Sequence, residues 1–284
     1  MENKPRKKWI AVLFTILTTG LGHIYCGRVK RGIIFILIPI TATVTAFLVL
    51  KVYPSFLLLI SFLTICIIYL IYCIFDVIKI AQKQSVHYET KKFNRWYIYL
   101  ALYTIVIAIP QPLSGEYIKQ NIVQAFKIPS GSMIPTLQIG DMLLAKTDKE
   151  SKSNINRGDL IIFKYPMDRT KIYIKRVIAI EGETISIKDK KVSINHSIFN
   201  EPYIINTDSR IFKQTKTPRD NMAPIEVPAN SFFVMGDNRD NTHDSRFWGF
   251  VKELDIIGKP TILYWSWDKK AFKIRFNRIG KSLI

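Results

Sequence analysis

The sequence predicts an N-terminal α-helical transmembrane region, residues 1–110, followed by a mainly-β domain of barrel or stacked-sheet type, residues 111–284. Three observations carry this. Long apolar runs are confined to the first part. After residue 110 the chain breaks into short β-branched and aromatic runs bounded by Gly, Pro, Asn and Asp. The three cysteines, Cys26, Cys66 and Cys73, all lie in the apolar part, where they read as packing residues. The second part therefore can hold no disulfide, cysteine nucleophile or Cys-ligated metal.

In the first part, runs 32–50 and 54–75 approach the roughly 20 residues a spanning helix needs. Run 96–110 is shorter and begins with the interfacial pair Trp96 and Tyr97. A weaker run, 9–25, ends in the turn residues Gly20, Gly22 and His23. Basic residues set the orientation. Arg28, Lys30 and Arg31 place one loop in the cytoplasm, and Lys79, Lys83, Lys91, Lys92 and Arg95 place another there. The connection at 51–53 has only Lys51 and belongs outside. Run 96–110 then leads outward, and the second domain is exported. The N-terminus, with Lys4, Arg6, Lys7 and Lys8, stays inside if run 9–25 is a shallow re-entrant segment and lies outside if that run spans. The glycines and the short length favour the re-entrant form. No small-x-small site closes the first run, which argues against a cleaved leader.

In the second part, "GDLIIFKYP", "KIYIKRVIAI", "ETISIKDKKVSI", "SFFVMGD" and "KPTILYWSWD" read as strands, with "IKDKKVSI" as a hairpin. Segment 206–230 reads as a long polar loop. The formal charge of +19 suits an acidic partner. The lysines are scattered rather than blocked, and no zinc-finger or RNP pattern occurs, so anionic lipid ranks above nucleic acid.

Candidate chemistry narrows by elimination. The exported domain has two histidines. His196 reads as a surface hairpin residue, and nothing in the local pattern orients His243 as a base. Two isolated histidines have no metal-ligand spacing. The acidic loop 237–248 fails the calcium pattern, because Arg239 and Thr242 occupy its third and sixth places and Trp248 its twelfth. Lysine remains. A lysine activates a serine only when neutral, which needs its pKa brought from roughly 10.4 to about 7–8. Lys175 in "IYIKRVIAI" is the candidate: alternation puts Tyr173, Lys175 and Val177 on one face and Ile174, Arg176 and Ile178 on the other, so one cation faces inward unless this is an edge strand with two solvated cations, which the strand alone more often is. The turn "KIPSGSMIPTL", 127–137, supplies hydroxyls. Pro129 and Pro135 stiffen it, and Gly131 offers a tight or left-handed conformation between Ser130 and Ser132. Such a turn can present a nucleophile and an oxyanion hole, although a lone Ser-Gly-Ser turn is more often a solvated loop.

Four segments together sharpen this. "PSGSMIPTLQIGD" (129–141), "RGDLIIFKYP" (157–166), "YIKRVIAIEGE" (173–183) and "MGDNRDNTHDSRFWGFV" (235–251) resemble, in order and spacing, the signature boxes of bacterial type I signal peptidases. The resemblance covers about 115–265. It implies a Ser/Lys dyad peptidase that removes signal peptides from preproteins at the outer face of the cytoplasmic membrane, without metal or organic cofactor. It makes Ser132 the nucleophile, Lys175 the general base, and the Ser130 hydroxyl with the Ser132 N–H the oxyanion hole. Thr242 takes the place of a serine that orients the lysine, a departure whose methyl stiffens χ1. Asp244 and Arg246 match a structural ion pair. Phe126, Ile128, Tyr173 and Ile174 match the lining of shallow pockets for small side chains one and three places before the cut. Trp248, Trp265 and Trp267, with the scattered lysines, would rest the domain on anionic lipid.

The N-terminal part departs most from that family, which usually has one or two spans. "GLGHIYCGRVKRGIIFILI" is similar to small membrane-hairpin modules with a Gly-rich Tyr-x-Gly turn. Two other readings stand beside the first: a dedicated Ser/Lys processing peptidase for a pilin or conjugation protein, and an inactive membrane-anchored binding module. A hydroxyl at 132, an amine at 175 and a hydroxyl at 242 weigh against the last. Export of the domain weighs against nucleic acid.

Overall fold

The computed structural model describes residues 5–52, 56–84, 88–91 and 93–283. Lys4 and Lys92, which enter the charge argument, and Tyr53 at the end of the 51–53 connection lie outside the described residues. The chain divides into two compact units, Met1–Glu116 and Tyr117–Ile284.

The first unit is helical: α1 (Lys8–Leu17), α2 (Leu21–Tyr25), α3 (Val29–Val52), α4 (Phe56–Lys83), α5 (Trp96–Tyr103), a π-helical turn (Thr104–Ala108) and α6 (Pro110–Asn121). Run 9–25 is not one span. With ten residues, α1 is about 15 Å long, half a hydrocarbon core. Thr18 is extended and ends it, and α2 turns back against it. The return is close: a Cβ on Gly22 would lie 2.2 Å from the Ala11 carbonyl oxygen. The Lys7 N–H donates to the Tyr25 hydroxyl at 3.3 Å, so the start of α1 and the end of α2 lie together. The Arg6 guanidinium sits between the Tyr25 and Tyr88 rings, 4.4 and 4.1 Å from their centroids. Ala11, Leu21, Ile24, Cys26, Val77, Ala81 and Tyr99 form the core of this unit. Cys26 and Cys73 are buried thiols, as packing residues would be.

Among the described residues, two helices are long and apolar enough to cross a membrane, over Val29–Ala46 and Leu57–Lys83. The helix from Trp96 does not end at Pro110 as the run suggested. Pro110 opens α6, where its missing N–H costs nothing because a first-turn N–H has no partner inside a helix.

The second unit is built from β1 (Val123–Lys127), β2 (Asp141–Lys146), β3 (Leu160–Tyr165), β4 (Asp168–Ile180), β5 (Thr184–Lys188), β6 (Lys191–Ile194), β7 (Ser197–Ile198), β8 (Met222–Glu226), β9 (Ser231–Met235), β10 (Val251–Lys252), β11 (Ile256–Asp268) and β12 (Lys273–Ile274). Two short helices, α7 (Lys149–Ser153) and α8 (Ser245–Trp248), interrupt them. One antiparallel sheet runs β1-β2-β11-β3-β4-β9-β10, with β12 folded onto β11. A second runs β7-β6-β5-β8. Strand β2 alternates buried and half-buried residues, whereas the first four residues of β3 are all buried, as expected for an edge-near and a central strand. Ile128, Met133, Leu137, Leu143, Ile162 and Leu263 fill the core beneath the serine turn. The β5–β6 hairpin forms where "IKDKKVSI" places it, with Asp189 and Lys190 at φ 49° and 68°. Asn195 and His196 repeat that turn, which leaves His196 exposed. Segment 206–230 is largely irregular apart from β8; Arg219 ties it down by ion pairs to Asp208 at 3.1 Å and Asp220 at 2.8 Å.

Candidate active site

The serine turn is a loop closed on itself. The Ile128 N–H donates to the Asp141 carbonyl at 2.8 Å and the Gly140 N–H to the Ile128 carbonyl at 3.0 Å. Met133 and Leu137, both buried, root it in the core beneath. Gly131 is not in the left-handed region, and a Cβ there would meet only the tip of Ile134, at 3.0 Å. The glycine the loop requires is Gly140, at φ 94°, where a Cβ would lie 2.1 Å from the Trp267 carbonyl oxygen. The turn is stiff because both serine-side carbonyls are held from outside. Asn238 donates its side-chain amide to the Gly131 carbonyl and its N–H to the Ser132 carbonyl, each at 3.1 Å. The Ser132 N–H has no acceptor among the described residues. Ser130 Oγ is exposed and 3.4 Å from Ser132 Oγ.

Strand β4 brings the amine. Lys175 is 4 % exposed, and its Nζ lies 2.8 Å from Ser132 Oγ. Burial pushes its pKa down to about 8; the Asp244 and Asp237 charges pull the other way without reaching it by hydrogen bond. Arg176, on the opposite face, is bidentate to buried Asp237 at 2.9 and 2.7 Å. The alternation of β4 thus gives each cation its own environment.

The loop after β9 lies on the lysine. Asp244 and Arg246 form the expected buried ion pair, with two bonds of 2.9 Å. Burial alone raises the Asp244 carboxyl, but Arg246 and the Gly236 N–H outweigh it and hold the pKa below the usual carboxylate range. Thr242 lines the same groove but does not make the expected hydrogen bond to Lys175. Its hydroxyl is buried without a partner because it is turned against Gly236, where a Cβ would come within 2.4 Å of it. His243 stacks on Phe247, ring centroids 5.1 Å apart, and bonds neither Ser132 nor Lys175. Trp248 is half-buried and packs on Phe163 and Tyr165, with centroids 5.9 and 5.7 Å away.

These groups surround an open groove of about 470 Å³ lined by Phe126, Ile128, Tyr173 and Ile174 as well as Ser130, Ser132, Lys175 and Thr242. Sequence reasoning missed Asn238 and the two buried aspartates Asp141 and Asp237. Asp141 accepts from Arg278 at 2.6 Å and Ser266 at 2.7 Å, while Thr136 and Arg176 meet at Asp237. The signal was present as a repeat, "IGD" and "MGD", at the ends of the loop and of β9.

A serine oxygen and a buried amine whose pKa burial has lowered, at hydrogen-bond distance at the foot of an apolar groove on a β scaffold, are the parts of a peptidase, and peptidase is the class that fold and site define. Residues 95–265 match the family model "Signal peptidase, peptidase S26". The chain is 30% identical to signal peptidase I of Buchnera aphidicola (subspecies Acyrthosiphon pisum), over 71% of this chain and 88% of that protein. It is 36% identical to signal peptidase I of Leptolyngbya laminosa, over 52% and 71%. A crystal structure of a signal peptidase I from Enterococcus faecalis V583 aligns at 28% identity and a TM-score of 0.32, covering 38% of this chain and 97% of that one. On the family model and these relatives, the chain belongs to the signal peptidase family S26.

Proposed function

We propose that this membrane-bound peptidase removes signal peptides from exported preproteins after small residues, with Ser132 as nucleophile and Lys175 as general base. The observation that carries the dyad is the 2.8 Å contact between Lys175 Nζ and Ser132 Oγ, made by an amine whose pKa burial has lowered to about 8. Neutral Lys175 takes the Ser132 proton as Oγ attacks the scissile carbonyl. The developing oxyanion is met by the Ser132 N–H and the Ser130 hydroxyl. The Lys175 ammonium returns its proton to the leaving amine, and an acyl-enzyme results. Lys175 then deprotonates the water that hydrolyses it. The cycle needs no metal or organic cofactor.

The free strand edges support a peptide substrate. Among the described residues, β1 pairs only with β2, and β4 pairs with β9 from Arg176 onward, so residues 168–174 keep an open edge there. An extended segment in the groove can add to these edges by main-chain hydrogen bonds. Phe126, Ile128, Tyr173 and Ile174 leave shallow apolar recesses that suit Ala and exclude larger side chains by contact.

The placement is multi-pass, with the peptidase domain on the extracytoplasmic face of the cytoplasmic membrane. The α1–α2 reversal supports an N-terminus that stays with the basic loops inside. Helix α3 then leads out, α4 back, and the helix from Trp96 out again. On the β domain, Trp265, Phe272 and Phe276 are exposed beside Lys269, Lys270 and Lys273, which supports contact with anionic lipid.

The test is cleavage of a preprotein carrying an Ala-x-Ala site by the full-length chain in detergent. Ser132→Ala and Lys175→Ala are expected at background. Full activity in Lys175→Ala would sink the dyad.

A further inference from the structure

The helical unit carries a second polar site that the peptidase chemistry does not use. The start of α3, the end of α4 and Lys91 border an open cavity of about 910 Å³. Six cations line it, Arg28, Lys30, Arg31, Lys79, Lys83 and Lys91, against one carboxylate, Asp76. That carboxylate is already engaged. Asp76 Oδ1 accepts from Arg31 at 2.8 Å, and Oδ2 lies 2.9 Å from Nε2 of buried His23. Among the described residues, no carboxylate forms an ion pair with the other five cations. Like charges converging on one cavity repel one another unless an anion sits between them.

The surroundings fix the depth of this cavity. Outward-facing Ile33 and Ile34 on α3, and Phe75 on α4, begin an exposed apolar surface within a turn or so of the cations. The Arg6 N–H donates to the Gln84 carbonyl at 3.2 Å, which brings the start of α1 to the same end of the unit. There Trp9 stands 65 % exposed, as an aromatic at a membrane–water boundary does. The cavity therefore lies at the rim of the apolar surface, the level at which the phosphates of a bilayer are found.

We propose that this basin is a headgroup site for an anionic phospholipid of the phosphatidylglycerol class, in the leaflet that holds the basic loops. Arg28 and Lys30 hold the phosphodiester from the α3 side and Lys79 and Lys83 from the α4 side. The lipid tails lie along the exposed apolar faces of the two helices. The inference rests on the membrane placement of α3 and α4 and is independent of the chemistry at Ser132.

Native mass spectrometry of the full-length protein, released from micelles doped with phosphatidylglycerol or phosphatidylcholine, tests it. The wild type is expected to retain phosphatidylglycerol about tenfold better than phosphatidylcholine, and Lys30→Gln/Lys79→Gln/Lys83→Gln to lose that preference while cleaving preprotein at the wild-type rate. The single variants Lys30→Gln and Lys83→Gln, expected to lose part of the preference each, guard against a misfolded triple variant. Lys213→Gln/Lys216→Gln, outside the basin, should keep it. Retention of the preference by the triple variant, or its absence in the wild type, overturns the proposal. Displacement of the lipid by millimolar inorganic phosphate would assign the basin to a free anion and overturn the lipid source. Loss of cleavage in Ser132→Ala with lipid retention intact would leave the two readings separately judged.

Discussion

Strand β4 carries two adjacent cations into opposite environments, and the contrast explains the site. Arg176 meets Asp237 through two hydrogen bonds of 2.9 and 2.7 Å and stays a charged strut between β4 and the loop after β9. Lys175 is buried more deeply and bonds no carboxylate; its hydrogen-bond partner is the Ser132 hydroxyl at 2.8 Å. A guanidinium with a bidentate acceptor makes a fixed ion pair. An amine desolvated beside only a neutral acceptor has its pKa lowered, here to about 8. One residue of register separates structure from chemistry.

The largest expected effect comes from erasing the contrast. Lys175→Arg keeps the charge, but a guanidinium cannot deprotonate below a pKa of about 12, so cleavage should fall by at least about 10³-fold in a folded protein. Residual activity near wild type would mean that charge, not basicity, matters at 175. Ser130→Ala is next, with kcat expected to drop about 10²-fold to 10³-fold if its hydroxyl meets the oxyanion. An unchanged kcat would assign that task to the Ser132 N–H alone.

The pH profile follows from the lysine itself. Its folded pKa lies below the usual amine value, at about 8, and the proposed dyad works through the neutral form. kcat/KM should therefore be near its plateau above pH 8 and fall about tenfold per unit below it as the amine gains a proton. A profile flat from pH 6 to 9 would break the assignment.

Arg176→Lys should leave the chemistry and weaken the scaffold. A point-charge amine cannot satisfy both Asp237 oxygens, so thermal stability should drop, by less than the roughly 3–5 kcal/mol an unpaired buried ion costs. Thermal melting checks it, and an unchanged melting temperature would show the strut to be dispensable. The smallest effect is expected at Thr242. Its hydroxyl is buried without a partner, so Thr242→Val should keep the cleavage rate within about threefold and lose nothing in stability. A larger rate loss would mean the hydroxyl turns to Lys175 once substrate is bound.

Much of this was legible in the sequence. Ser132, Lys175 and the Asp244–Arg246 pair stand within short ordered motifs, and the β5–β6 turn is written in "DK" between two alternating runs. Other features were not. Gly131 looked like the conformational key of the serine turn, but Gly140 is, because the constraint comes from the Trp267 carbonyl far along the chain. Thr242 occupies the expected motif place, yet its rotamer is decided by contact with Gly236. Asn238 anchors the serine turn from more than a hundred residues away, and no local pattern marks such a partner. Run 9–25 reads as a marginal span on hydropathy alone. Its reversal depends on the fit of Gly22 against Ala11 and on Tyr25 reaching back to Lys7.

By itself the sequence determined the division into an apolar helical part and a strand-rich part, the two long helices, the register of β4 and the identity of the residues able to act. These follow from side-chain period, length and charge, which are local properties of the chain. Only the tertiary structure decided that Lys175 would be desolvated beside Ser132 while Arg176 met Asp237, which glycine the serine loop needs, and that six scattered lysines and arginines meet around one cavity. Those outcomes depend on desolvation and on acceptors brought from distant segments, and neither exists until the chain has folded.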